Sequence, residues 1–156
     1  MITNDLSFYS LQGQSKITHR DFLKIGQTNE IAASVTVKDD APYKSVKDLV
    51  VLGKARPGEI NVGSSGIGSL PHLSAELFGS MSGIKLIHVP YKGPSAALSD
   101  VLNGQVPTYF MNILGSLPLV QANKLRGLAV TSTTRSSAVG EPRLMSLPGN
   151  LPWSSL

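Results

Sequence analysis

The residues best suited to hold a ligand lie in one short segment, Gly63-Ser64-Ser65-Gly66-Ile67-Gly68-Ser69. Its glycines allow positive φ angles and a close approach of the backbone to a ligand, and its serine hydroxyls add hydrogen-bond donors. The segment lies between a predicted strand that ends at Val62 and a predicted helix that begins near Leu70. Free N–H groups and the positive end of the helix dipole therefore meet there. This pattern predicts an anion site without a charged side chain, although a tight turn with glycines for packing alone stays open.

Comparison with known loop patterns limits the kinds of anion that this segment can bind. Gly63 and Gly68 have the spacing of a nucleotide-binding P-loop, but Ser69-Leu70 stands where that loop needs Lys followed by Ser or Thr. The dinucleotide pattern fails because Pro71 occupies the position of its third glycine. A nucleophile elbow requires G-x-S-x-G, which this segment misses by one position. A carboxylate is the anion that these exclusions favour.

A second loop, Val89-Pro90-Tyr91-Lys92-Gly93-Pro94-Ser95, also follows a predicted strand and opens a predicted helix. Tyr91 offers a pocket wall and a hydroxyl, although aromatic residues here are equally good core residues. Lys92 offers a charge, but a lysine in such a loop is usually just solvated. Asn112 ends a later strand and has an amide that could face the same cleft.

The remaining polar residues give little sign of catalysis. His72 lies in the first helical turn after the Gly/Ser segment, where it could contact the ligand or serve as a cap. His88 lies on an apolar strand and is interpreted as a hydrogen-bonded core residue. Asp48 and Asp100 lie in predicted helices and are expected to face solvent. No triad, paired carboxylates or metal-ligand spacing appears, so we expect no enzyme activity, metal or cofactor.

Composition limits the classes of protein to be considered. The 156 residues are 41% hydrophobic and 15% charged, as in a globular domain. The net charge is +4, but the basic residues form no run or stripe, and we therefore expect no nucleic-acid partner. No apolar stretch approaches the roughly 20 residues that span a bilayer, and the first residues lack the features of an export signal.

Short apolar strands alternate with helical patterns from Ala32 onward. Strands are predicted at 33–37, 59–62, 84–89, 106–111 and 125–131. Ser45 is a predicted N-cap with Asp48 as its capping-box partner. The second helix is expected to carry one apolar face formed by Leu73, Leu77, Phe78 and Met81. Further helices are predicted from Pro94 to about 103 and over 116–122. This alternation predicts an α/β fold with a mostly parallel sheet flanked by helices, and ligands bind such sheets beyond the carboxyl ends of the strands.

Three motifs in order, NVGSSGIGSLPHLSAELF, HVPYKGPSAALSDVLNGQV and LRGLAVTSTTRSSAV, resemble the substrate-binding proteins of tripartite tricarboxylate transporters, also called Bug-type receptors. The resemblance runs from about Asp21 to the end of the chain. It implies one lobe of a two-lobed periplasmic-binding fold of type II that closes on a small mono- or dicarboxylate. It also implies membrane permease subunits as partners, a protein that is not itself embedded in the membrane, and a periplasmic location.

The resemblance also indicates which residues of this chain form the ligand site. Those in the first two motifs lie in the two strand-to-helix loops: Ser64, Ser65, Gly66, Ile67, Gly68, Ser69, His72, Tyr91, Gly93, Pro94, Ser95 and Ala96. Asn112 follows the next strand.

Family members are about twice as long, and nothing here matches the glycine-rich loop of their first lobe. We therefore expect a fragment in which residues 1–31 are a remnant of the first lobe, residues 32–135 form the second, ligand-binding lobe, and residues 136–156 cross toward the first. As written, without a signal peptide, such a fragment could remain cytoplasmic. Two other functions stay open: the effector domain of a transcription regulator, and an enzyme that binds a phosphate-bearing cofactor.

Overall fold

The computed structural model describes residue 13 and residues 16–23, 32–131 and 145–146. The chain divides into two compact units, Met1–Glu30 and Ile31–Leu156. In the described part of the first unit, a 3-10 turn at His19–Asp21 begins with a capping box between Thr18 and Asp21. Most of the predicted lead-in (1–31) and crossover segment (136–156) lies outside the described residues. The predicted domain assignment therefore stays a prediction.

The second unit alternates strands and helices along the chain. The strands are β1 (Ala33–Lys38), β2 (Ile60–Ser64), β3 (Leu86–Pro90), β4 (Thr108–Asn112), β5 (Leu125–Val130) and β6 (Met145–Ser146). The helices are α1 (Val46–Ala55), α2 (Leu70–Ser82), α3 (Pro94–Leu102) and α4 (Ile113–Gln121). The predicted elements are all present, although α4 begins three residues earlier than predicted, directly after β4.

The strands form one mixed sheet in the order β3-β2-β4-β1-β5-β6. β2 runs parallel to β3 and β4, and β5 runs parallel to β6, whereas β1 is antiparallel to both of its neighbours. The α/β fold with flanking helices is confirmed, and β1 is its antiparallel exception. Two buried hydroxyls on β1 bond to backbone oxygens of β4: Ser34 to Met111 O and Thr36 to Tyr109 O.

Two hydrophobic clusters cover the two faces of this sheet. Phe110 of β4 packs with α1 and α2 through residues such as Leu49 and Phe78. Its neighbour Tyr109 packs with α3 through Val101 and belongs to the other cluster. Adjacent strand residues point to opposite faces, so β4 is buried on both sides. Because β4 is buried on both sides and pairs with β2, the positions of the ends of these two strands relative to each other are fixed.

The predicted apolar face of α2 is wrong in part. Phe78 is buried, but Leu77 is 61% exposed, and Leu73 and Met81 are also exposed. The residues that face the core are Pro71, Ala75, Phe78, Gly79 and Ser82. A Cβ on Gly79 would lie 3.1 Å from the carbonyl oxygen of Ile84. The helix therefore packs through its small residues and Phe78, and its larger aliphatic side chains lie outside.

Candidate ligand-binding site

Three parallel strands end side by side at one edge of the sheet. β2 lies between β3 and β4, and its last residue, Ser64, pairs with Pro90 of β3. The connection continues one residue further, where the amide of Tyr91 donates to the carbonyl oxygen of Ser64 at 3.0 Å. The Gly/Ser turn and the Tyr91 loop therefore begin from adjacent points. Asn112, the last residue of β4, lies at the same edge.

The turn between β2 and α2 is held by hydrogen bonds to Gly66. Ser64 is fully buried, and its Oγ accepts from the amide of Gly66 at 3.1 Å. The hydroxyl of Ser69 donates to the carbonyl oxygen of Gly66 at 2.7 Å. Gly66 and Gly68 have φ angles of 138° and 79°, which side chains other than glycine rarely adopt. The glycines are therefore needed for the backbone conformation of the turn, and the hydroxyls of Ser64 and Ser69 make hydrogen bonds within it.

Ser65 and Ile67 have surroundings different from those of Ser64. Ser65 is half-buried, and its hydroxyl has no hydrogen-bond partner among the residues that the structure describes. Ile67 is 65% exposed at the tip of the turn. Of the turn's side chains, these two are the ones available to a bound molecule.

Helices α2 and α3 both begin at this edge without a side-chain cap. Ser69 and Gly93 occupy the N-cap positions, and neither makes a side-chain cap bond. Each helix has a proline at its start and no acidic residue in its first turn. By contrast, Ser45 caps α1 as predicted, by accepting from the amide of Asp48 at 3.1 Å. The carboxylate of Asp48, the predicted capping-box partner, accepts from the amide of Lys44 at 3.1 Å. Uncapped N-termini leave backbone N–H groups and the positive end of each dipole to bind an anion.

The second loop is anchored by Tyr91, whose hydroxyl donates to Asp100 Oδ2 of α3 at 2.7 Å. Burial, followed by the hydrogen bond to and the charge of Asp100, raises the pKa of Tyr91 to about 12. The expectation that Asp100 faces solvent is therefore wrong, because this carboxylate is half-buried and paired. Gly93 has a φ of 131°, and beyond it Pro94, Ser95 and Ala96 are exposed in the first turn of α3.

Asn112 is already used as a cap. Its Oδ1 accepts from the amide of Leu114 at 3.0 Å, at the N-terminus of α4. The side chain is half-buried, and its amide NH₂ group remains as the donor on this side of the turn. One amide in the first turn of α4 is therefore capped by a side chain, unlike those of α2 and α3.

Two histidines lie against the Gly/Ser turn. His72 Nδ1 accepts from the amide of Gly68 at 3.0 Å, and His88 Nε2 lies 2.5 Å from Ser64 Oγ. The two rings stack with centroids 3.8 Å apart and an angle of 19° between their planes. Burial, and then the proximity of His72, lower the pKa of His88, while Glu76 raises it. His88 is hydrogen-bonded as expected, but it is half-buried at this edge and does not belong to the core.

All the sequence-predicted site residues that follow β2 and β3 are brought to one edge of the sheet. Two residues outside that set also belong to its structure: His88, which contacts Ser64, and Asp100, which holds Tyr91. Neither contact has a local sequence signal, because each joins residues on different elements. Within residues 32–131, and in the other described positions, no cluster of three potential metal ligands occurs, and no described helix is long and apolar enough to span a bilayer.

Comparison with known proteins agrees with this architecture. The sequence profile of the family described as "Tripartite tricarboxylate transporter family receptor" matches residues 11–146. BugT of Bordetella pertussis is 30% identical over 117 residues, which cover 75% of this chain and 36% of BugT.

Two solved structures are similar to the chain. A TctC solute-binding protein from Polaromonas is 32% identical, with a TM-score of 0.78, over 87% of this chain and 46% of that protein. Rpa4515 of R. palustris, solved with adipate, is 39% identical, with a TM-score of 0.65, over 67% of this chain and 35% of that protein. The chain thus spans less than half the length of each of these relatives.

The regulator and cofactor-enzyme alternatives find no support in these relatives, whereas the profile match covers most of the chain and the fold agrees. The chain belongs to the tripartite tricarboxylate transporter receptor family.

Proposed function

We propose that the edge formed by the Gly/Ser turn and the Tyr91 loop is one half of a receptor site for a small mono- or dicarboxylate. The observation that carries this proposal is the pair of adjacent uncapped helix N-termini, those of α2 and α3. Both helices lack an acidic first turn, so an external carboxylate meets backbone donors without charge repulsion. Backbone amides in the first turns of α2 and α3, including those of Ser95 and Ala96, and the hydroxyls of Ser65 and Ser95 are the donors that we assign to it.

The roles of the other predicted site residues follow from their surroundings. We assign Ser64, Gly66, Gly68 and Ser69 to shaping the turn, because their polar groups bond to one another or to histidine. Ile67 and Tyr91 are assigned as apolar walls, Gly93 and Pro94 as the start of α3, and Asn112 as a donor through its amide NH₂.

The physiological role that we propose is that of a non-catalytic receptor. The whole protein would capture its ligand in the periplasm and deliver it to the permease subunits of a tripartite transporter. Family membership supports this role, and the adipate bound by Rpa4515 supports a dicarboxylate ligand. The site described here belongs to one lobe, and we propose that residues 32–135 correspond to the second lobe of the receptors.

The test is an NMR titration of ¹⁵N-labelled protein with adipate, succinate and acetate, with phosphate and a neutral sugar for comparison. We expect carboxylates to shift the amides of residues 65–69 and 95–96, with dissociation constants in the millimolar range because the donors assigned here form one half of the proposed site. The double variant Ser65→Ala/Ser95→Ala should weaken binding by at least about tenfold, since it removes hydrogen bonds to a charged group.

The matched control is Ser80→Ala, an exposed serine near the other end of α2, which should leave binding unchanged. Carboxylate shifts that are absent, or that cluster away from these two turns, would contradict the proposal. A stronger response to phosphate than to every carboxylate would also contradict it.

A further inference from the structure

The stacked histidines hold the Gly/Ser turn at two points. His72, in the first turn of α2, accepts from the amide of Gly68, and His88, on β3, contacts the hydroxyl of Ser64. Ser64 and Gly68 stand near the two ends of the turn whose tip is Ile67. Because the two rings stack at 3.8 Å between their centroids, the contact to Gly68 from α2 and the contact to Ser64 from β3 are coupled.

The hydrogen bond from Gly68 fixes the protonation of His72. A backbone amide can only donate, so Nδ1 must carry a lone pair and the neutral ring must carry its proton on Nε2. Protonation at Nδ1 would place two N–H groups against each other and break this contact. The turn in its observed shape is therefore compatible with a neutral His72 and not with an imidazolium.

Few other charges act on the pair in the described part of the chain. Glu76 of α2 lies nearest, with Oε1 3.8 Å from His72 Nε2, a distance too long for a hydrogen bond. β2 contributes the neutral hydroxyl of Ser64. A second positive charge on the stack would be opposed by the first at this ring separation, and the exposed carboxylate of Glu76 compensates it only in part.

We propose that His72 and His88 are positioning residues that together set the conformation of the 64–69 turn, and that the turn is competent to bind a carboxylate while His72 is neutral. The positioning role is a property of the ligand-free protein. Its consequence for affinity rests on the proposed function. The two parts can therefore be tested separately.

The first test uses the ligand-free protein and substitutions that keep or remove each acceptor. His72→Asn retains an acceptor at the δ position but cannot be protonated, whereas His72→Leu removes the acceptor. His88→Gln retains a hydrogen-bonding atom at the ε position for Ser64, whereas His88→Leu removes it. We expect the Asn and Gln variants to keep the wild-type amide shifts of Gly66 and Gly68, and the Leu variants to change them.

A pH titration of the same amides separates positioning from simple packing. In the wild-type protein, acid that protonates Nδ1 of His72 removes the acceptor of the Gly68 amide, and this amide is therefore expected to shift as the pH is lowered. In the double variant His72→Asn/His88→Gln it should stay constant. Glu76→Gln serves as the control, because it removes the nearby charge without touching either contact; the pH response should persist but move to lower pH, since Glu76 favours the charged form of His88.

The second test measures adipate affinity at pH 7.5 and pH 5.5 for the same proteins. We expect the wild type to lose affinity at the lower pH, the Asn/Gln double variant to lose none, and each Leu variant to bind about two- to tenfold more weakly at pH 7.5. If no carboxylate binds the wild type, the proposed function fails while the amide test still decides the positioning role. A Gly68 amide that ignores both pH and His72→Leu would overturn the inference, whether or not adipate binds.

Discussion

Ser64 and Ser65 are adjacent in the chain, but their side chains have opposite surroundings. Ser64 is the last residue of β2, fully buried and bonded to Gly66, whereas Ser65 is half-buried in the turn that follows the strand, and its hydroxyl has no partner among the described residues. Two residues of one type therefore take two roles: one stabilises the turn, and the other is offered to a ligand.

Tyr91→Phe is expected to lower the free energy of unfolding by about 1.5–3 kcal/mol at pH 7, because it leaves the half-buried carboxylate of Asp100 without its donor. Urea denaturation at several pH values measures this difference. The pKa of Tyr91 is about 12 in the folded state, against an ordinary value of 10. Its contribution is therefore complete below pH 10 and is lost as the pH rises toward 12.

The difference between wild type and Tyr91→Phe should accordingly shrink between pH 10 and pH 12. Burial also raises the pKa of Tyr43 and Tyr109, but both tyrosines are present in both proteins. A difference that is absent at pH 7, or that grows above pH 10, would contradict the role given to the Tyr91–Asp100 pair.

At the scale of elements, the helix starts divide into two kinds. α1 is closed by Ser45 and α4 by Asn112, each of which accepts an amide of its own first turn. α2 and α3, which follow the adjacent parallel strands β2 and β3, begin uncapped. Of these four helices, α1 and α4 thus have side-chain caps, whereas the uncapped N-termini of α2 and α3 lie at the edge where we propose that the ligand binds.

The orientation of α2 is tested by two neighbouring residues. Phe78→Ala should cost about 3–5 kcal/mol of stability, because Phe78 is buried and packs on Phe110 at 5.6 Å between ring centroids. Leu77→Ala should change stability by less than about 0.5 kcal/mol, since Leu77 is 61% exposed. Thermal or urea unfolding measures both. Equal losses would mean that the helix packs through the apolar face expected from sequence.

At the scale of the whole molecule, the sheet is organised around β4 and β1. β4 joins the parallel half, which carries the ligand-binding loops, to β1, and β1 pairs antiparallel with β5. Buried hydroxyls reinforce the junction: Ser34 bonds to Ser116 of α4 as well as to β4. The edge that carries the site is therefore joined through β2 to a central strand, β4, that is buried on both faces.

Native-state hydrogen exchange should be slower in the central strands of the sheet than in the outer strand β3. Amides of β1 and β4 are expected to exchange only through global unfolding, whereas those of β3, the outer strand beyond β2, should exchange through smaller local openings. Exchange measured by NMR at increasing denaturant separates the two classes. Protection of β3 equal to that of β1 would contradict the inferred hierarchy.

The sequence by itself determined the order of strands and helices, the cap at Ser45 and the glycine turn between β2 and α2, because each depends on residues within a few positions of one another. Tertiary structure alone decided the direction of β1, the face that α2 buries, and the contacts of His88 and Asp100. The hydrophobic periodicity of a segment indicates that it is amphipathic, but it does not indicate which other element packs against it. His88 meets Ser64, 24 residues away, only because β3 aligns beside β2 in one register. Such long-range contacts are fixed by packing of the whole sheet.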